Sequence, residues 1–130
     1  MYLLDTNTLI YFFKGMGQVS DTLFLHAPKD IGIPSVVLYE LYVGIAKSNS
    51  PQKRVAQLQE FLQHVKIVEF GEKEAKASAS IRAELEQKGM PIGPIDTLIA
   101  GYAIANQATL ITHNTKEFKR VHNLLLEDWF

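Results

Sequence analysis

The chain has 130 residues, 47% of them hydrophobic and 21% charged, with a net charge of -1 and no cysteine. That size and balance suit one domain, residues 1–130, with a real core; they exclude disulfides and thiolate metal sites and any global basic field that would hold nucleic acid by bulk charge. The first residues lack the basic start and long apolar stretch of a secretory leader, and no apolar run approaches the ~20 residues of a membrane span. A soluble, cytoplasmic domain is therefore expected.

The first apolar run, Tyr2–Leu4, reads as a strand and stops at a bare carboxylate, Asp5, before the pattern resumes at Leu9. Ile31–Ile33 reads as a second strand. The stretch "PSVVLYELYVGIAK" that follows is a helix apolar nearly all round, so burial is expected for it, with Tyr39 and Tyr42 in the core. Ser50 and Pro51 supply a cap and a first-position proline, and Val55, Leu58, Leu62 and Val65 make the apolar stripe of the next helix. A third strand is expected over Ile67–Phe70. "EKEAKASASIRAELEQKG" is rich in helix formers and should stop at Gly89, with Pro91 beyond. "PIDTLIAGYAIANQ" is a second all-round apolar helix, expected to be buried. Strands over Thr109–Thr112 and Leu124–Leu126 complete the series. Short apolar strands alternating with helices predict an α/β fold: three α/β/α layers around a central, mostly parallel sheet of about five strands.

Three of the fourteen acidic residues stand apart. Asp5 is the only charge between Met1 and Lys14, Glu40 the only one between Asp30 and Lys47, and Asp96 the only one between Lys88 and Lys116. Carboxylates are rarely buried without a partner, yet no lysine or arginine is near any of them in sequence. A shared hard cation would answer all three cases, because Mg²⁺ takes oxygen ligands from one or two carboxylates, water and phosphate. The topology lets them meet. Asp5 ends the first strand, Asp96 opens a helix whose start faces the carboxyl edge of the sheet, and Glu40 lies early in the helix leaving the second strand. Ligands of open α/β sheets bind outside that edge. Asn114, just past "TLIT", belongs to the same edge.

Simpler roles stand beside these. Asp5 is equally placed to cap the helix that follows, and Asp96 to favour a helix dipole; Glu40, inside an apolar helix, has no such role. Asn114 begins "NTKE", a capping-box pattern with Glu117 as the reciprocal partner, and can cap and ligate at once. His113 reads as an edge residue, His26, His64 and His122 lack metal-ligand spacing, and Arg82 reads as a surface charge.

The blocks "YLLDTNTLIYFFKG", "IPSVVLYELYVGI", "IRAELEQKGMPIGPIDTLIAGYAI" and "LITHNTKEFKRV" resemble, in order, the motif blocks of PIN-domain ribonucleases, above all the VapC toxins of bacterial type II toxin–antitoxin pairs. The resemblance implies a PIN-like fold and Asp5, Glu40 and Asp96 as the acidic metal site. It sets Asn114 at a fourth catalytic position where the family often has aspartate, which leaves open a second tightly held metal. It further implies homodimers and a cognate VapB antitoxin whose C-terminal segment fills the active-site groove. Promoter DNA would be bound only through that complex, and the RNA substrates would be transfer or ribosomal RNA.

The expected activity is Mg²⁺-dependent (or Mn²⁺-dependent) endoribonuclease hydrolysis, with Asp5 and Asp96 binding the ion directly and Glu40 completing the site, through water or by orienting the nucleophile. Lys14, Lys47, Lys116, Lys119 and Arg120 are candidate phosphate contacts. Apolar surface around Phe12, Phe13, Tyr42 and Phe61 is expected to receive a second copy and the antitoxin. Phosphoaspartyl enzymes of the haloacid-dehalogenase type need a second acid where this chain has Asn7, and a receiver domain needs an acidic pair near the first strand, which is absent. The remaining alternative is a catalytically silent RNA- or protein-binding module on the same fold.

Overall fold

The computed structural model describes residues 1–130. Strands β1 (Tyr2–Leu4), β2 (Ile31–Pro34), β3 (Lys66–Val68), β4 (Thr109–Ile111) and β5 (Leu125–Glu127) form one sheet in the order β3-β2-β1-β4-β5. Every neighbouring pair is parallel. Seven helices connect and flank them: α1 (Thr6–Lys14), α2 (Val19–Leu23), α3 (Ser35–Ala46), α4 (Pro51–Leu62), α5 (Glu72–Gln87), α6 (Pro94–Ala105) and α7 (Thr115–Phe118). This is the expected three-layer α/β/α arrangement. None of the helices is long and apolar enough to cross a membrane.

The central strands are apolar at successive positions because helices cover both faces of the sheet. Leu3, Leu4, Ile31, Ile33, Leu110 and Ile111 have no exposed surface. Edge strand β5 differs, with Leu125 and Glu127 exposed. The strand order reverses at β1: β2 lies on one side of it and β4 on the other. The carboxyl ends of β1 and β4 therefore flank the crevice where such sheets place their sites.

Several strand limits move by a residue or two, and the pairing explains why. Ile67–Phe70 becomes Lys66–Val68 because the partner strand β2 ends at Pro34, opposite Val68, and leaves Glu69 and Phe70 nothing to pair with. The proline sits at the strand end, where its missing N–H does least harm. β5 is shifted to Leu125–Glu127 by its register with Thr109–Ile111. Thr112 drops out of β4 and turns its side chain to other use. Pro51 opens α4 as expected, but the Ser50 side chain makes no capping bond.

The expectation of two fully buried helices divides. α6 is buried, through Thr97, Ile99, Ala100, Gly101, Tyr102 and Ala103. α3 is not: only Val37 and Leu41 are buried, while Tyr39 is 62% exposed and Tyr42 and Val43 are also exposed. Tyr39 and Tyr42 are thus surface residues and not core, because α3 packs inward on one side and nothing in the chain covers the other. Phe12, Phe13 and Phe61 are half-buried in one aromatic group, with ring centroids 5.2 to 5.7 Å apart, and Phe24 extends it to the surface.

The helix that carries Asp96 is fixed by its seam with α5. A Cβ at Gly101 would stand 1.8 Å from the Ser78 hydroxyl and 3.0 Å from the Ser78 Cα, so α6 approaches as close as glycine allows. Gly101→Ala should therefore destabilise the protein by about 1–3 kcal/mol through overpacking, measured by urea unfolding. A change smaller than about 0.5 kcal/mol would mean that the seam yields.

Candidate active site

Asp5 occupies the turn from β1 into α1 and performs the simple role as well as the charged one. Its side chain accepts the Thr8 backbone N–H at 2.9 Å and caps α1, while its own N–H donates to the Ile111 carbonyl at 3.1 Å, tying it to β4. The residue is 6% exposed. Burial pushes its carboxyl above the usual range; the Thr112 hydroxyl and the Thr8 N–H pull it back, and the charge of Glu40 adds to the rise. Thr112 can serve Asp5 because its oxygen accepts the Asn114 N–H at 3.0 Å, which leaves the hydroxyl proton free to point at the carboxylate.

Glu40 reaches the same place from α3, where the Thr6 hydroxyl of α1 donates to its Oε1. Asp96 stands in the first turn of α6, half-buried. Its pKa is pushed up to about 6, first by burial and then by the charges of Asp5, Glu117 and Glu40. The three carboxylates singled out by their isolation in the sequence thus lie at one edge, within reach of one another's charge. No salt bridge of the chain involves any of them.

Glu117 is the acidic neighbour that the pattern of isolated charges missed, because Lys116, Lys119 and Arg120 surround it in sequence. Asn114 is at the expected edge, but the capping box does not form. Its amide donates to the Glu117 side chain at 2.9 Å and makes no bond to the helix backbone. Arg120 is engaged as well, donating to the Pro91 carbonyl at 2.9 Å, which clasps the loop leading into α6. That bond takes one guanidinium N–H and leaves Arg120 its charge and its other donors, with no ion pair. Arg82 is a surface charge paired with Glu86, and His113 lies at the edge against Asp128. Lys14, Lys47, Lys116 and Lys119 are exposed and make no ion pair.

The donor set is all oxygen, with excess negative charge and no side-chain cation, which fits a hard divalent ion. No three acidic or histidine side chains stand together as a ready-made metal cage. Two carboxylates with water suffice for Mg²⁺, and Asp5 with Asp96 is the pair whose ionisation is disfavoured without one.

The PIN-domain model matches residues 2–124. The chain belongs to the PIN-domain family. Ribonuclease VapC2 of Rickettsia felis is 44% identical to this PIN domain, over 99% of this chain and 98% of that protein. The tRNA(fMet)-specific endonuclease VapC of Salmonella typhimurium is 34% identical, over 98% and 97%. Among solved structures, VapBC2 from Rickettsia felis bound to a fragment of its promoter DNA contains a chain that superposes with a TM-score of 0.92 at 43% identity, covering 99% and 98% of the two chains. DNA-bound VapBC from Salmonella typhimurium gives 0.92 at 33%, with the same coverage.

A carboxyl whose pKa rises on folding opposes the folded state once it ionises. In this PIN domain without metal, the contribution of Asp96 is favourable below about pH 4 and is lost as pH rises through about 6. Half-exposure limits the loss to about 1 kcal/mol. Urea unfolding in EDTA should show the wild type losing stability across that window, with a shallower slope in Asp96→Asn. Equal slopes would mean that Asp96 is not held against like charge.

Proposed function

We propose that the chain is a Mg²⁺-dependent endoribonuclease toxin of a type II toxin–antitoxin pair. The observation that carries this reading is the gathering of Asp5, Glu40, Asp96 and Glu117 at one sheet edge with no side-chain cation among them. Such a cluster repels RNA phosphate by itself and admits it once a divalent ion intervenes. A Mg²⁺ or Mn²⁺ ion held there would offset charge on the phosphate and lower the pKa of a water, so that hydroxide is available to attack phosphorus.

The chain's own groups supply the rest. Asp5, held by the Thr8 N–H, and Asp96, on the helix fixed by the α5–α6 seam, would be the ion's carboxylate ligands. Glu40, steadied by Thr6, orients the attacking water. Asn114 keeps Glu117 in place at the margin. Lys14, Lys47, Lys116 and Lys119 neutralise flanking phosphates, so binding weakens as salt rises.

The name of the Salmonella relative, a tRNA(fMet)-specific endonuclease, favours a structured transfer RNA as substrate. The VapBC neighbours favour a VapB-type antitoxin as partner, with promoter DNA bound by the joint complex. A basic antitoxin side chain would take the place of the ion among the carboxylates. The uncovered outer side of α3, with Tyr39, Tyr42 and Val43, supports a symmetric homodimer. A catalytically silent module is less well supported, since it has no use for carboxylates that repel one another.

Cleavage of transfer RNA should require Mg²⁺ or Mn²⁺ and leave 5′-phosphate and 3′-hydroxyl ends. Asp5→Asn, Glu40→Gln and Asp96→Asn should each lower the rate by about 10²-fold or more. End mapping and rate measurement check this together. Cyclic 2′,3′-phosphate ends, or full activity in excess EDTA, would contradict the mechanism.

A further inference from the structure

A pocket of about 260 Å³ opens between α1, α3 and α4. Its floor is apolar, with Phe13, Leu41 and Leu58 among the residues that line it. Glu40 also lines it, so the pocket borders the acidic edge through that carboxylate. Lys14, Arg54 and Gln57 stand at its rim, all three exposed. Neither cation is in an ion pair, and the Gln57 amide makes no hydrogen bond within the chain.

Gly44 adds the observation that decides what the pocket suits. It lies inside α3, its φ is not in the left-handed region, and a Cβ built on it would meet nothing within 4 Å. Neither packing nor backbone geometry therefore requires glycine here, and glycine weakens a helix interior relative to alanine or leucine. What the missing side chain does is leave bare backbone on one wall, where a flat ligand can approach closely.

We propose that this pocket is a nucleobase subsite, holding one base of the RNA beside the phosphate at the acidic cluster. The inference rests on the ribonuclease reading above. A nucleobase has apolar faces and a polar edge, and proteins that bind unpaired RNA give it an apolar bed with hydrogen-bonding groups at the side. The floor and the Gly44 wall take the ring faces. Gln57, which both donates and accepts, and Arg54, which donates, read the edge. Lys14 meets the adjoining phosphate. The two unpaired cations favour a polyanion over a peptide whose own basic groups seek the carboxylates. The subsite would make one base next to the scissile bond specificity-determining.

The test uses the intact protein, Mg²⁺ and a randomised single-stranded RNA pool, with sequencing of the new 5′ ends. Wild type should favour one base at a fixed position beside the cut. Gly44→Leu, which fills the pocket, and Gln57→Leu, which removes the edge contact, should reduce cleavage at favoured sites by roughly tenfold, with a smaller change at the others, so that the preference flattens. Gly44→Leu should also melt at or above the wild-type temperature, which separates a lost subsite from a damaged fold. Unchanged base preference in both variants would overturn the proposal while leaving the ribonuclease reading intact. Weakened inhibition by the antitoxin with unchanged preference would assign the pocket to a protein segment and overturn it equally. No cleavage by the wild type of either this pool or transfer RNA would remove the ribonuclease reading, and the subsite with it.

Discussion

Asp5 sits where β1 ends and α1 begins, and the rest of the site depends on how its carboxylate is held. One oxygen accepts the Thr8 amide and starts α1. The main chain of the same residue is bonded to β4, and Thr112 at the end of that strand offers a hydroxyl. The carboxylate is therefore held by the start of α1 while the main chain of the same residue is tied to the sheet, and it is buried. Glu40 from α3 and Asp96 from α6 arrive at the same edge; the charge of Glu40 raises the cost of ionising Asp5, and those of Asp5, Glu117 and Glu40 raise the cost of ionising Asp96. Burial is the larger effect for both Asp5 and Asp96, so repulsion acts on charges that solvent already screens poorly.

That arrangement works against stability, and the interior of the sheet offsets it. The central strands are closed to water on both faces, and the seam of α5 with α6 leaves no room for even a methyl group at Gly101. Rigid elements of this kind hold charges in place that a loop would let separate. The Arg120 clasp on Pro91 serves the same end, fixing the loop from which α6 starts without bringing its own charge into an ion pair with Asp96. A site assembled this way holds an unmet demand for positive charge, which a divalent ion, or a basic side chain from a partner, can satisfy.

Much of this was legible in the sequence, for definable reasons. Asp5, Glu40 and Asp96 stood out because each is the lone charge in a long apolar stretch, and parallel topology brings strand ends and helix starts to one edge. Glu117 was hidden because its sequence neighbours are charged, and only the fold of α7 shows which of them faces the cluster. The roles of Thr6 and Thr112 were invisible for a similar reason: threonines at element ends are common, and their partners lie far away in the chain. The burial of α3 was misjudged because hydrophobicity all round a helix states what the helix would bury, not how many neighbours the chain supplies. α6 is comparably apolar and is buried because α5 and the sheet enclose it. Strand limits moved wherever a partner strand stopped first, as at Pro34, which is a property of pairing and not of either segment alone.

On the function proposed above, the acidic edge holds a divalent ion through Asp5 and Asp96. Titration of Mn²⁺ followed by electron paramagnetic resonance near neutral pH reads this without RNA, antitoxin or turnover. Asp5→Asn is the decisive variant, because asparagine still caps a helix well and so removes charge without removing the local fold. The wild type should deplete free Mn²⁺, and Asp5→Asn, melting as a folded protein, should bind it more weakly by about tenfold or more. Equal Mn²⁺ affinity in the two proteins would contradict that proposal.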